Sequence, residues 1–223
     1  MPICARAAAC AAGSAPRAPL EVKGMNKDIL ICGVGGQGTV LASRIIAAAA
    51  MEEGNTVHSA ETIGMAQRGG SVTSHVRVGE AAFSPLIPFG GADLLLAFEP
   101  AEAVRNLKYL KKGGKAVINT AATRPVTESL KSTGYDGREM TAWLQGKCDC
   151  VFVNAEEECA PFGSAKFLNI ILLGVAEGTG SLGLRREALL EQIGKQVPAR
   201  FLEINTRAFR RGLEIGEASV RTE

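Results

Sequence analysis

Chemistry in this chain begins with Gly33-Val34-Gly35-Gly36-Gln37-Gly38. The run follows a short apolar stretch, Asp28-Ile29-Leu30-Ile31-Cys32, and precedes helix-favouring residues from Thr39 to Glu53. In that strand–turn–helix context G-x-G-x-x-G carries meaning. Gly33 permits a tight turn, Gly35 lets a phosphate approach the backbone, and Gly38 lets the helix pack closely on the strand. The amides of the turn, those of Gly36 and Gln37 included, would face an anion with the favourable end of the helix dipole. The chemistry implied is contact with phosphate or nucleotide. The plainer alternative is that the glycines serve strand–helix packing or face a partner protein.

A dinucleotide site also wants an acid at the end of the second strand, to hold ribose hydroxyls. Glu61 is the nearest candidate, a few residues beyond the expected place. It leads into Thr62-Ile63-Gly64-Met65-Ala66-Gln67-Arg68-Gly69-Gly70-Ser71, a polar, glycine-laden loop with one arginine. Gln67, Arg68 and the Gly69-Gly70 amides make a second anion site beside the first. Two such sites in one crevice fit a ligand with spread-out phosphates, such as coenzyme A, at least as well as a nicotinamide dinucleotide. For Arg68 the competing role is a salt bridge or carbonyl clamp within the loop. The site therefore rests on one expectation, that the turns at 33–38 and 67–70 converge.

Catalytic groups do not emerge. His58 and His75 are the near-neutral acid–base candidates, and both read as structural strand residues. There is no G-x-S-x-G elbow and no G-x-x-x-x-G-K-[ST] loop. Glu156-Glu157-Glu158 reads as a solvated helix start rather than a metal cluster. The cysteines at 4, 10, 32, 148, 150 and 159 lack the short repeated spacing of an iron–sulfur site and the two close pairs of a zinc site. Cys148 and Cys150 alone are close; on a strand they share a face but do not bridge comfortably. Reduced thiols and a cytoplasmic setting follow. No catalytic residue and no metal ligand is assigned.

These residues need a scaffold, and the sequence describes one. Thr56 to Ala60 reads as the strand that completes a β-loop-α-β unit. From Val72 to Val78 the residues alternate between Val72, Ser74, Val76, Val78 and Thr73, His75, Arg77, which predicts a strand with unequal faces. Ser84-Pro85-Leu86-Ile87-Pro88 interrupts the sheet. Ala92–Phe98 and Lys115–Asn119 predict buried strands around a helix from Pro100 to Leu110, with Gly113-Gly114 as the turn. A short helix is expected over 139–146 and a strand over 150–153. Ser164 is placed to cap an apolar helix running to about Gly178. Pro198 precedes a final amphipathic helix with Phe201, Ile204, Ala208 and Gly212 on one stripe. Alternating strands and helices predict an α/β, doubly wound, mostly parallel, Rossmann-like sheet.

Composition narrows the function classes. An apolar share of 46% against 22% charged fits a globular chain. A formal charge of +2 with no basic block argues against nucleic acid. No segment has the apolar length of a membrane helix. Residues 1–24 differ: Ala- and Pro-rich, basic, and broken by Arg6, they read as a disordered tail or as sequence upstream of a true start at Met25. A transit peptide shares that look. One domain over 25–223 is expected.

GVGGQG, then ETIGMAQRGGSVTSHVRVG, then SPLIPFGGADLLLAFEPAEAVRNLKYLKKGG resemble the beta subunit of indolepyruvate ferredoxin oxidoreductases, itself similar to the gamma domain of the wider 2-oxoacid:ferredoxin oxidoreductases. The likeness runs from about Asn26 to the last helix, and MAQRGGS with SHVR and SPLIP is its specific part. It implies a share in oxidative decarboxylation of an arylpyruvate to an aryl-acetyl coenzyme A, with ferredoxin as acceptor. It further implies that thiamine diphosphate, Mg and [4Fe-4S] clusters sit on a large alpha subunit. This chain would hold no cofactor alone and would help receive coenzyme A as cosubstrate through Gly33–Gly38 and Gln67-Arg68-Gly69-Gly70. A free-standing NAD(P)-binding oxidoreductase and a non-catalytic interaction subunit are the alternatives.

Overall fold

The structure, a computed structural model, describes residues 24–64, 69–80, 82–123 and 134–221. Gln67 and Arg68, and all but the last residue of the N-terminal stretch 1–24, lie outside the described residues.

Six strands form one sheet in the order β2-β3-β1-β4-β5-β6. They are β1 (Lys27–Val34), β2 (Val57–Ile63), β3 (Ser71–Val78), β4 (Ala92–Ala97), β5 (Leu110–Asn119) and β6 (Asp149–Val153). β1, β4, β5 and β6 pair in parallel, while β3 runs antiparallel to both β1 and β2. The mostly parallel α/β architecture expected from the sequence is present, with one reversed strand. Its cause is the connection from β2 to β3: residues 64–70 are too few for the crossover a parallel return requires. β3 thus wedges between β1 and β2, and the expected β-loop-α-β unit has parallel strands that do not touch.

Alternation along the strands divides the core into two layers. Ile29, Ile31, Val76, Leu94, Leu96 and Val117 face α1 (Thr39–Glu52), α4 (Ala155–Cys159), α5 (Leu168–Gly178), α6 (Arg186–Gln196) and α7 (Leu202–Arg221). Leu30, Cys32, Leu95, Ala97 and Ile118 face α2 (Pro100–Asn106) and α3 (Arg138–Gln145). Burial of both faces explains why the central strands are apolar runs instead of alternating ones. Among the described residues no single helix is long and apolar enough to cross a membrane.

Several local expectations shift. β5 starts at Leu110, and Gly113 (φ +74°) lies within a register shift of that strand instead of forming a turn before it. α6 has no counterpart in the sequence reading. Phe201 is 40% exposed and leaves the α7 stripe, which is built from Asn205, Ala208, Phe209, Gly212, Leu213 and Gly216. The reason is geometric: Phe201 precedes the helix proper, in a short 3-10 turn.

Candidate functional site

α1 carries the chain from β1 toward the β2 edge, and α2 carries it from β4 toward β5. The sheet therefore has its switch point between β1 and β4, where a doubly wound fold opens a crevice at the carboxyl ends of its strands. The glycine turn leaves β1 at that place.

Gln37 holds the turn shut. Its Oε1 accepts the Val34 amide at 2.7 Å, while its own amide donates to the Val34 carbonyl at 3.2 Å. Its Nε2 donates to the Phe98 carbonyl at 3.0 Å and to Thr123 Oγ1 at 3.1 Å. The turn is thereby tied to the ends of β4 and β5. Gly33 is required by crowding, since a Cβ there would lie 2.7 Å from Phe98 Cβ. Gly38 has φ +86°, and its missing side chain leaves room for Asn169 of α5 rather than for β1. Gly36 has φ +103° and open space where a side chain would stand.

The two glycine turns do meet. The Gly35 amide donates to the Gly70 carbonyl at 2.8 Å, and the Gly69 amide to the Gly35 carbonyl at 3.5 Å. Those bonds consume two of the amides expected to hold an anion. The amides of Gly36 and Gly38 have no hydrogen-bond partner among the described residues. They lead into the fourteen-residue α1, which adds its dipole. Glu61 stands apart: on β2 it lies opposite Ser74 of β3, itself opposite Ile31 of β1. Two strand spacings, about 10 Å, separate it from β1. Its carboxylate accepts a hydrogen bond from Ser43 of α1 at 3.2 Å.

A polar cluster beneath the turn was not foreseen. Glu99 and Glu102 are 2% and 1% exposed at the start of α2. Glu99 caps the helix by accepting the Glu102 amide at 3.0 Å, and Tyr135 donates its hydroxyl to the other Glu99 oxygen. Glu102 accepts from Ser71 Oγ at 2.6 Å and pairs with Arg105. This bond pins Ser71, the residue directly after the second glycine turn. Burial, then the charges of Glu102 and Glu99, push the Cys32 thiol well above the usual range. Burial and the bond to Glu99 push the Tyr135 phenol up as well. Both groups stay protonated. Asn119 finishes the arrangement, donating to the Phe98 carbonyl at 2.9 Å and accepting the amides of Ala121 and Ala155. The sequence signal for all this was the Glu-Pro pair at 99–100, a helix-start signature.

Two adjoining clefts open at the carboxyl ends of β5 and β6. One of about 510 Å³ is lined by Gln37, Asn119, Thr123, Ser164 and Leu168. The other, about 720 Å³, is lined by Thr120, Tyr135, Arg138, Thr141 and Asn154, and shares Ala121, Ala122 and Glu156 with the first. Among the described residues, Gln37 is the one expected site residue in their walls. His75 serves structure: its Nδ1 accepts the Ile87 amide at 3.1 Å, and burial lowers its proton affinity. Arg77 binds Asp28 through two nitrogens and donates to the carbonyls of Ser84 and Leu86. Together they fasten the proline loop to the sheet, leaving Phe83, Leu86 and Phe89 exposed. Among the described residues no group of three His, Cys, Asp or Glu could hold a metal ion.

Fold and crevice define a doubly wound α/β domain whose clefts open at the carboxyl ends of its strands. Residues 28–215 match the pyruvate ferredoxin/flavodoxin oxidoreductase family, and the chain belongs to it. The chain is 40% identical over 190 residues to indolepyruvate oxidoreductase subunit IorB of Methanothermobacter thermautotrophicus, covering 84% of this chain and 96% of that one. It is 39% identical to the subunit of the same name from Archaeoglobus fulgidus, covering 84% and 94%. The fold is shared with the keto/oxoacid ferredoxin oxidoreductase gamma subunit of Geobacter sulfurreducens, at TM-score 0.63 and 24% identity, covering 86% of this chain and 99% of that one.

Proposed function

We propose that this chain is the small subunit of an indolepyruvate ferredoxin oxidoreductase. The observation that carries the reading is 40% identity spread over 96% of a subunit so named. The reaction takes an arylpyruvate and coenzyme A to an aryl-acetyl coenzyme A and carbon dioxide, delivering two electrons to ferredoxin. Thiamine diphosphate and the clusters, which supply decarboxylation and electron transfer, belong to a larger alpha subunit. The domain runs over 25–223, and the complex is cytoplasmic.

The chain's own part is to receive and shield. Gly36 and Gly38, whose amides have no partner among the described residues, stand at the start of α1 to receive an anionic group of coenzyme A. Gln67, Arg68, Gly69 and Gly70 are the further residues assigned to that group. Gln37 fixes the turn so that its amides are already oriented when the ligand arrives. The reading needs no acid–base catalyst here, since cofactor and partner do the bond breaking.

Co-expression with the large subunit tests it. The assembled pair should reduce a viologen dye when given both indolepyruvate and coenzyme A, and each chain alone should not. Equal activity from the large subunit alone overturns the proposal. Calorimetric binding of NAD(H) or NADP(H) by this chain alone would turn it toward the nicotinamide alternative.

A further inference from the structure

At the far edge of the sheet, away from the glycine turns, two thiols sit in contact. Cys150 is on β6, paired in register with Ala116 of β5, and Cys148 occupies the bend just before the strand. On a regular strand the two side chains would stand parallel and apart. The bend removes that obstacle. The amides of Lys147 and Cys148 both donate to the Leu144 carbonyl at the end of α3, at 2.9 and 3.4 Å, which turns Cys148 back over Cys150. Their sulfurs are 3.0 Å apart, inside van der Waals contact, against about 2.05 Å in a disulfide. Both residues are half-buried, whereas Cys32 and Cys159 are buried.

We propose that Cys148 and Cys150 form a vicinal dithiol site that exchanges with low-molecular-weight disulfides and closes to an intramolecular disulfide. Cys148 is the attacking sulfur. A hydrogen bond from Cys150 favours its thiolate, overcoming burial and the charge of Asp149. Cys159, by contrast, is pushed up to about 11 by burial, and burial also pushes Cys32 well above the usual range. The Cys148 thiolate attacks one sulfur of the small disulfide and expels a thiolate, giving a mixed disulfide. With the Cys148 charge gone, Cys150 gives its proton to solvent, attacks the Cys148 sulfur and releases the second small thiol. Two protein thiols are oxidised and one disulfide is reduced to two thiols. A ring closed over a single intervening residue is strained, and strained, accessible disulfides are the readily reduced ones, so the site is reversible.

The full chain, reduced and then treated with oxidised glutathione, tests this by mass mapping of the peptide 148–166. That peptide should lose about 2 Da without carrying glutathione. Cys150→Ser should keep glutathione on Cys148, because the resolving sulfur is gone. Cys148→Ser should slow the reaction at this peptide by about tenfold or more. A stable glutathione adduct on the natural chain, a link to Cys159, an unreactive peptide, or a Cys148→Ser chain reacting at the natural rate would each overturn the proposal.

Discussion

A Cβ built on Gly36 in the β1–α1 turn would meet nothing within 4 Å, whereas one built on Gly212 of α7 would lie 2.1 Å from the Ile171 carbonyl oxygen of α5. Gly174 and Gly178 on α5 and Gly212 and Gly216 on α7 all make this close approach, each with a backbone oxygen within 2.5 Å of the imagined Cβ. The seam has replaced side chains with backbone contact, which fixes the two helices but leaves no room for a ligand. The turn has instead left space above Gly36, and the Gly36 and Gly38 amides have no partner among the described residues. Each place has four glycines, and the spatial consequence at Gly36 is opposite to that in the seam. What separates an open turn from a packing seam is whether the vacated volume is filled by the protein itself.

The contrast can be broken experimentally. The largest effect is expected at the seam. Gly212→Ala should cost roughly 3 kcal/mol or more, read as a lowered denaturation midpoint, because backbone cannot move aside as a side-chain tip can. A loss under about 1 kcal/mol would mean that the helices part easily and the seam is not close-packed.

The next effect comes from Glu177, one residue before Gly178 on the buried α5. Burial lifts its carboxyl to about 7, against the opposing pull of Arg186 and the Leu184 amide. One of its oxygens, Oε2, has no hydrogen-bond partner among the described residues. The folded chain thus holds this proton more tightly than the unfolded one. Its contribution to stability is complete below the ordinary carboxyl value of 4.5 and is lost as pH climbs to about 7. Glu177→Gln should therefore match the natural chain at pH 4 and exceed it by roughly 1–3 kcal/mol at pH 8. Denaturant titrations at the two pH values check the sign; a gain at pH 4 alone would contradict the burial argument.

The smallest effects belong to the turn. Gly36→Ala should cost about 1–2 kcal/mol from its left-handed backbone alone. Gly38→Ala has the same strain and adds a contact with Asn169 Nδ2 at 2.6 Å, so it should cost more. If both lose equally, the packing role given to Gly38 fails. If Gly36→Ala leaves coenzyme A-dependent activity of the assembled complex untouched, the open amide does not face ligand.

The sequence by itself determined most of the strands and helices, α6 and the early start of β5 excepted, because apolar runs such as 29–32 and 94–97 and the punctuation at Gly33, Pro100 and Pro198 act over a few residues. It also determined the family, through MAQRGGS, SHVR and SPLIP, and it marked Gly33–Gly38 as a turn leaving β1. Tertiary structure alone decided the strand order. A short link between β2 and β3 permits a reversed strand, but nothing local says that this strand will insert beside β1 and carry Glu61 one place outward. It alone decided the bonding of Gly35 to Gly70, the buried pairings of Glu99 and Glu102 with Tyr135 and Ser71, and the contact of the Cys148 and Cys150 sulfurs. Each depends on where distant backbone segments come to rest, and hydrogen bonds and Cβ clashes act over a few ångströms of space that residue spacing does not encode.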